Sequence, residues 1–169
     1  HAGFATLLKW AAGKPAVYFV FTSNVDGQFQ KSGFSHEHIA ECHGSILHFQ
    51  CVDTCVRSIW EAGHENVNMD ESVFRALKPL PRCPHCGQLS RPNVLMFGDF
   101  SWIPDRSHDQ QKRFEQWLQN LRRKSARLAV VELGAGTAIP TVRHTSERLV
   151  RQFNGKLIRI NMREPNVPL

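Results

Sequence analysis

Five cysteines and a neighbouring histidine are the residues of this sequence whose types and spacing most plainly point to chemistry. Cys51 and Cys55 are separated by three residues, Cys83 and Cys86 by two, and 27 residues lie between the pairs. A loop this short can bend two thiolates onto one metal ion, and two such loops complete a tetrahedron, so the spacing predicts zinc. Four thiolates leave no open position for water, which makes the expected role structural. The competing readings are disulfides, disfavoured in a reducing compartment, and buried free thiols, which seldom cluster in pairs around Pro-rich turns such as KPLPRCPHC. Cys42 stands alone and is expected to be a small packing residue. His48, His64 and His85 could substitute as ligands, but the four cysteines already fill a site.

His43 follows Cys42 in ECHGSILHFQC, with Cys51 eight residues further on. An imidazole here could be a base titrating near neutrality, a metal ligand beside Cys51, or a hydrogen-bonded ring in an ordinary core. Asn24 and Asp26 lie in FTSNVDGQFQKSGF, at the end of a strand-like run where open α/β sheets bind ligands, although both types also form ordinary turns. LGAGT follows another such run and precedes a helix, so its amides could face a phosphate or ribose; any tight turn would look similar.

These groups must be positioned by the elements around them. GFATLLKWAA puts Phe4, Leu7, Leu8 and Ala11 at helical i, i+3, i+4, i+7 spacing. AVYFVFT is a continuous apolar run of the kind found in a strand covered on both faces, hence in a parallel sheet. Residues 51–99 interrupt this rhythm with the cysteine pairs and a short helical candidate, DESVFRAL. SHDQQKRFEQWLQNLRR predicts a helix that opens on a Ser107/Gln110 capping box and lines up Phe114, Trp117, Leu118 and Leu121. RLAVVEL predicts a buried strand, IPTVRHTSERLVRQFNG a helix starting at Pro140 and ending at Gly155, and KLIRIN a further strand. Strand, helix, strand with short connections is the parallel α/β pattern.

At 169 residues the chain can form one domain, or one domain with a small insert. A 41% hydrophobic and 21% charged composition excludes a disordered chain. The net charge is +6 and the pI about 9.4, but the densest basic cluster, Arg122-Arg123-Lys124, reads as the solvated end of a helix, so no direct nucleic-acid partner is expected. No apolar run is long enough to span a membrane and no secretion signal opens the sequence, so the expected location is cytoplasmic.

Taken in order, TSNVDG, ECHGS, the cysteine eight residues past the histidine, the second cysteine pair, RPNVLMFGD, LGAGT and the IN after LIRI resemble the sirtuins, the NAD-dependent protein-lysine deacylases, over nearly the whole chain. The resemblance implies a Rossmann-type parallel sheet (residues 1–50 and 91–169) with an inserted small zinc-binding module (residues 51–90). It implies NAD as cosubstrate, zinc as a structural ion, and an acylated-lysine protein or peptide as partner. The acyl group would pass to the ADP-ribose part of NAD, with release of nicotinamide.

Residue by residue, the resemblance implies that His43 is the general base acting on a ribose hydroxyl and that Asn24 and Asp26 line the nicotinamide pocket. Val94 and Phe97 would wall the acyl-lysine tunnel on a strand that pairs with the substrate peptide. Gly134, Gly136 and Thr137 would contact the cofactor, as would Asn161 on the adenosine side, with Glu164 echoing the glutamate that follows it. The sequence departs from the family pattern at Ser23, usually glutamine; at Gln28, commonly apolar; and at Asp99, usually glutamate. The family's GAGIS turn and GIPDFR loop do not occur, there is no initiator methionine, and the sequence reads like a piece of something longer. The chain by itself is therefore expected to hold zinc, bind NAD weakly and be inactive. A sirtuin-like NAD hydrolase and a non-catalytic zinc scaffold are the alternatives.

Overall fold

Alternation of apolar helix faces with short strands organises this chain, whose computed structural model describes residues 1–14, 18–63 and 67–167. The elements in order are α1 (Ala2–Ala12), β1 (Val20–Thr22), α2 (Gln28–Lys31), a 3-10 turn (His36–His38), β2 (Ile39–Glu41), β3 (Gly44–Cys51), β4 (Trp60–Glu61), β5 (Met69–Asp70), β6 (Arg75–Ala76), β7 (Ser90–Val94), α3 (Asp105–Arg123), β8 (Ala129–Leu133), α4 (Thr141–Phe153) and β9 (Lys156–Ile160). Among the described residues no helix is long and apolar enough to cross a membrane. Ala16 and Val17 of the predicted first strand, and His64, lie outside the described residues.

The helices follow their sequence periodicity. Phe4, Leu7, Leu8 and Ala11 form the half-buried face of α1, and Phe4 meets Phe29 edge-on at 5.1 Å. Phe114, Leu118 and Leu121 of α3 join Ala40 of β2 and Leu149 of α4 in one buried cluster, with Trp117, Phe19, Phe21 and Val130 packed around it. Each such large apolar side chain contributes about 1.5–3 kcal/mol on burial. The helix α4 ends as the sequence predicts. Asn154 turns left-handed at φ 46°, and a side chain on Gly155 would meet the Leu128 carbonyl at 2.6 Å.

Four expectations need correction. The strands do not form one parallel sheet: β1–β2 and β8–β9 are separate parallel pairs, β4-β3-β7 is an antiparallel sheet and β5–β6 a hairpin. Phe114, Leu118 and Leu121 of helix α3 share one apolar cluster with Ala40 of the first pair and with Leu149, Leu128 and Val130 around the second. Strand β8 is covered on one face only: Leu133, Ile158 and Ile160 on the other face are exposed. DESVFRAL is the β5–β6 hairpin rather than a helix, because the Asp70 carboxylate accepts from the Ser72 amide at 2.9 Å and closes a local turn. The capping box is also absent, since α3 begins two residues before Ser107. Ser107 instead donates to the Glu41 carbonyl at 3.0 Å, and the Gln110 side chain accepts from the Glu41 amide at 2.9 Å.

Those two bonds let a helix face substitute for a neighbouring strand along the edge of β2. The Glu41 carboxylate, buried with them, pairs with Arg106 at 2.6 Å. A second polar core joins β8, β9 and α4. The fully buried Arg159 pairs with Glu132 and reaches Glu147 at 2.8 Å, and Arg143 lies 3.8 Å from Glu147. A buried charge stripped of its partner costs about 3–5 kcal/mol, so this chain of alternating charges fixes the two strands and the helix as one unit.

Candidate functional site

The four predicted cysteines converge although Cys51 and Cys86 lie 35 residues apart. Cys51 ends β3, Cys55 follows a turn in which Thr54 adopts φ 46°, and Cys83 and Cys86 flank a turn closed by the Gly87 amide on the Cys83 carbonyl at 2.9 Å. Cys51–Cys86 and Cys55–Cys83 have Sγ···Sγ distances of 3.6 Å, and all four sulfurs lie within 4.8 Å of one another. Tetrahedral zinc with bonds of about 2.3 Å needs sulfurs about 3.8 Å apart, so the donor set fits that ion. The Cys55 amide draws the Cys51 thiol down to about 7, while the neighbouring Cys86 thiol pushes Cys55 up. A dication held by the four sulfurs would relieve that crowding by stabilising the thiolates. Arg57, just past this cluster, donates two hydrogen bonds, at 2.9 and 2.6 Å, to the Asp105 carboxylate in the first turn of α3.

His43 occupies the two-residue turn between β2 and β3, and that turn is held from three directions. The Cys42 amide donates to the Thr22 carbonyl at 3.0 Å, the Ile46 amide to the Val25 carbonyl at 2.9 Å, and the Leu95 amide to the His43 carbonyl at 3.0 Å. The loop bearing Asn24 and Asp26 and the end of β7 are thereby tied to the same turn. Asn24 is exposed, and its side-chain amide makes no hydrogen bond among the described residues. Asp26 accepts from the Gln28 amide at 3.2 Å at the head of α2. Burial pushes the Cys42 thiol up to about 11, its own amide drawing it partly back, so at neutral pH it packs as a protonated thiol beside His43.

Gly44 makes this turn possible. It adopts φ 83°, and a Cβ there would stand 2.0 Å from the Asn93 carbonyl, where β3 pairs with β7. Gly44→Ala is therefore expected to destabilise the chain by more than the roughly 1–3 kcal/mol of a strained backbone alone. Gly98→Ala is the control for thermal melts, since Gly98 has φ 69° with nothing within 4 Å of an added Cβ. Equal melts for the two variants would remove the steric argument.

Val94 ends β7 opposite Gly44, half-buried on an edge strand of the three-stranded sheet. Phe97 is not in that strand: it lies in the following turn and is 90% exposed, because the chain leaves the sheet after Val94. The loop from Val94 to Ile103 is pinned at its base. Asn93 donates to the Gln50 side-chain oxygen at 2.9 Å and to the Ile103 carbonyl at 2.8 Å, Gln50 donates to the Ser101 carbonyl at 2.8 Å, and Asp99 pairs with Arg91. Burial raises the Asp99 carboxyl, but Arg91 and Ser101 outweigh it and hold it below the usual range.

Gly134, Gly136, Thr137 and Asn161 form a second cluster at the carboxyl ends of β8 and β9. The Glu164 carboxylate accepts from the Thr137 amide at 2.9 Å and its hydroxyl at 2.6 Å, and Asn161 donates to the Ala135 carbonyl at 3.0 Å. Gly134, at φ 67°, has open space around it. Arg143, which the sequence did not single out, braces the cluster by donating to the Ala135 carbonyl at 3.1 Å and the Glu164 carbonyl at 2.9 Å. Its only sequence signal is a cation in the first turn of a helix that follows a glycine loop. No hydrogen bond or ion pair among the described residues links this cluster to the His43 turn.

The profile describing the Sir2 family matches residues 3–125. The chain is 28% identical over 169 residues, 94% of its length and 28% of the relative's, to a Fusarium oxysporum f. sp. cubense protein named a probable bifunctional ADP-ribose hydrolase/ADP-ribosyltransferase. It is 30% identical over 170 residues, 99% of its length and 56% of the relative's, to an NAD-dependent protein deacylase of Thermococcus sibiricus. A deacylase of Thermococcus kodakarensis is 37% identical over 82 residues, 47% of this chain and 28% of the relative. The chain thus spans 28–56% of the length of these relatives.

Proposed function

This chain belongs to the Sir2 family, and on that premise we propose that the protein carrying it is an NAD-dependent protein-lysine deacylase. The family implies a Rossmann-like fold, into which the two parallel pairs fit as parts. The observation that carries the reading is the His43 turn, bonded through Cys42 to Thr22 at the head of the Asn24–Asp26 loop and through its own carbonyl to Leu95 just past β7, with Ile46 of β3 bonding Val25 within that loop. A base placed there can serve a reaction between a cofactor held by that loop and a peptide held by β7.

In this reading His43 acts as general base, taking the proton of the ribose hydroxyl as that oxygen bonds to the acyl carbon, while nicotinamide is the group that leaves the ribose. Asn24 and Asp26 satisfy the nicotinamide carboxamide as donor and acceptor. Val94 lends its edge strand to the peptide backbone, and the exposed Phe97 lies beyond it against the acyl-lysine chain. Gly134, Gly136, Thr137 and Asn161 hold the adenosine half of NAD. Cys51, Cys55, Cys83 and Cys86 hold structural zinc, which keeps β3 and β7 in register at the far end of the sheet from His43.

The Fusarium relative favours a second reading, transfer of ADP-ribose to a protein acceptor. Incubating the protein with NAD and an acetyl-lysine peptide separates the possibilities. Nicotinamide released only with peptide, one per peptide deacetylated, supports the deacylase. Release without peptide that leaves free ADP-ribose marks an NAD hydrolase, and release that leaves ADP-ribose attached to protein, with the peptide untouched, marks a transferase.

A further inference from the structure

We propose that the chain carries a binding surface for the sugar–phosphate backbone of a double-stranded nucleic acid at the C-terminal ends of α3 and α4. In sequence the Arg122-Arg123-Lys124 cluster is only three residues long, but folding enlarges it. Arg122 lies over the Phe153 ring at 5.4 Å and donates to the Gln152 side chain at 3.0 Å, which brings the ends of the two helices together. Lys156 is brought beside Arg127 because its amide donates to the Leu128 carbonyl at 3.0 Å. Arg151 lies one residue before the Gln152 contact. Arg122, Arg123, Lys124, Arg127, Arg151 and Lys156 are all exposed.

Nothing on this face neutralises them. The sequence has no Asp or Glu between Glu115 and Glu132, nor between Glu147 and Glu164, and both Glu132 and Glu147 are turned inward onto Arg159. None of the six cations joins an ion pair among the described residues. Neither 116–128 nor 148–157 exposes a large apolar side chain. That leaves no anchor of the kind a peptide interface is built on and no ring on which unpaired bases could stack. Four guanidinium forks and two ammonium groups without such anchors match closely spaced phosphates. The surface lies at the amino ends of β8 and β9, about 16 Å of strand away from Gly134 and Asn161, so its occupation leaves the cofactor cluster open.

The test is fluorescence anisotropy of labelled mixed-sequence duplexes of about 20 base pairs, DNA in one arm and RNA in the other, with the unmodified chain. If four of the cations engage phosphates, log K should fall against log salt with a slope of about −3.6, a loss of about 150-fold between roughly 50 and 200 mM. Arg123→Glu/Arg127→Glu/Lys156→Glu should weaken binding on the order of 30-fold at the lower salt while zinc content and melting temperature hold. The two arms distinguish DNA from RNA as the source of that backbone. No binding at low salt, a slope near zero, or tighter binding of a poly-glutamate of matched charge would overturn the proposal. So would a correctly folded triple variant that binds as the parent does; should that variant misfold, the salt slope of the unmodified chain decides alone.

Discussion

Chelating the metal from the native chain is expected to unfold the segment between Cys51 and Cys86. The reason is the poverty of that segment in anything else that holds it. Its strands β4, β5 and β6 are two residues each, and Val52, Val73, Phe74 and Leu77 are exposed. Among its cysteines only Cys51 and Cys83 are buried, and both belong to the sulfur cluster itself. Zinc bound by short peptides is worth about 10–16 kcal/mol, well beyond what a two-residue ladder and one exposed ion pair can supply. Metal analysis should find about one zinc per chain, set by the four-sulfur donor count. After chelation, amide exchange in residues 52–89 should become fast, and the β3–β7 pairing at Cys51 and Ser90 should fray. A native chain that contains no zinc and whose four thiols are freely alkylated would refute this.

Local pattern made part of this molecule readable in its sequence. The cysteine spacing led directly to the sulfur cluster, and the apolar face of α3 followed from Phe114, Leu118 and Leu121 at helical intervals. What the sequence hid were partnerships between residues distant along the chain. β2 is three residues long and ends on a glutamate, which looks like a surface residue until Arg106, Ser107 and Gln110 arrive from 65 or more residues away. The same Ser107 and Gln110 imitated a capping box because that signature and a strand-gripping helix face both use a hydroxyl and an amide three residues apart. In DESVFRAL a local Asx turn prevailed over a weak helical pattern that had no core to pack against. The basic face escaped notice because its members come from two helices, a loop and a strand. His43, Asn24 and Asp26 could be picked out only through their motif context, since each residue type alone is common in turns and cores.

The second large effect concerns His43. Replacing it by alanine should lower deacylation by a factor on the order of 100 or more, the usual loss when a positioned general base is removed. The fold should tolerate the change, because the contact fixing the turn at this residue is its backbone carbonyl, which accepts from the Leu95 amide at 3.0 Å, and alanine keeps that carbonyl. Melting temperature and zinc content should therefore match the parent's. The decisive measurement is the rate of nicotinamide release coupled to loss of the acetyl group from a lysine peptide, compared between the parent protein and its His43→Ala variant. Peptide-dependent turnover is expected in the parent, with a loss of two orders of magnitude or more in a variant that melts like the parent; undiminished turnover in that variant would show that His43 is not the base.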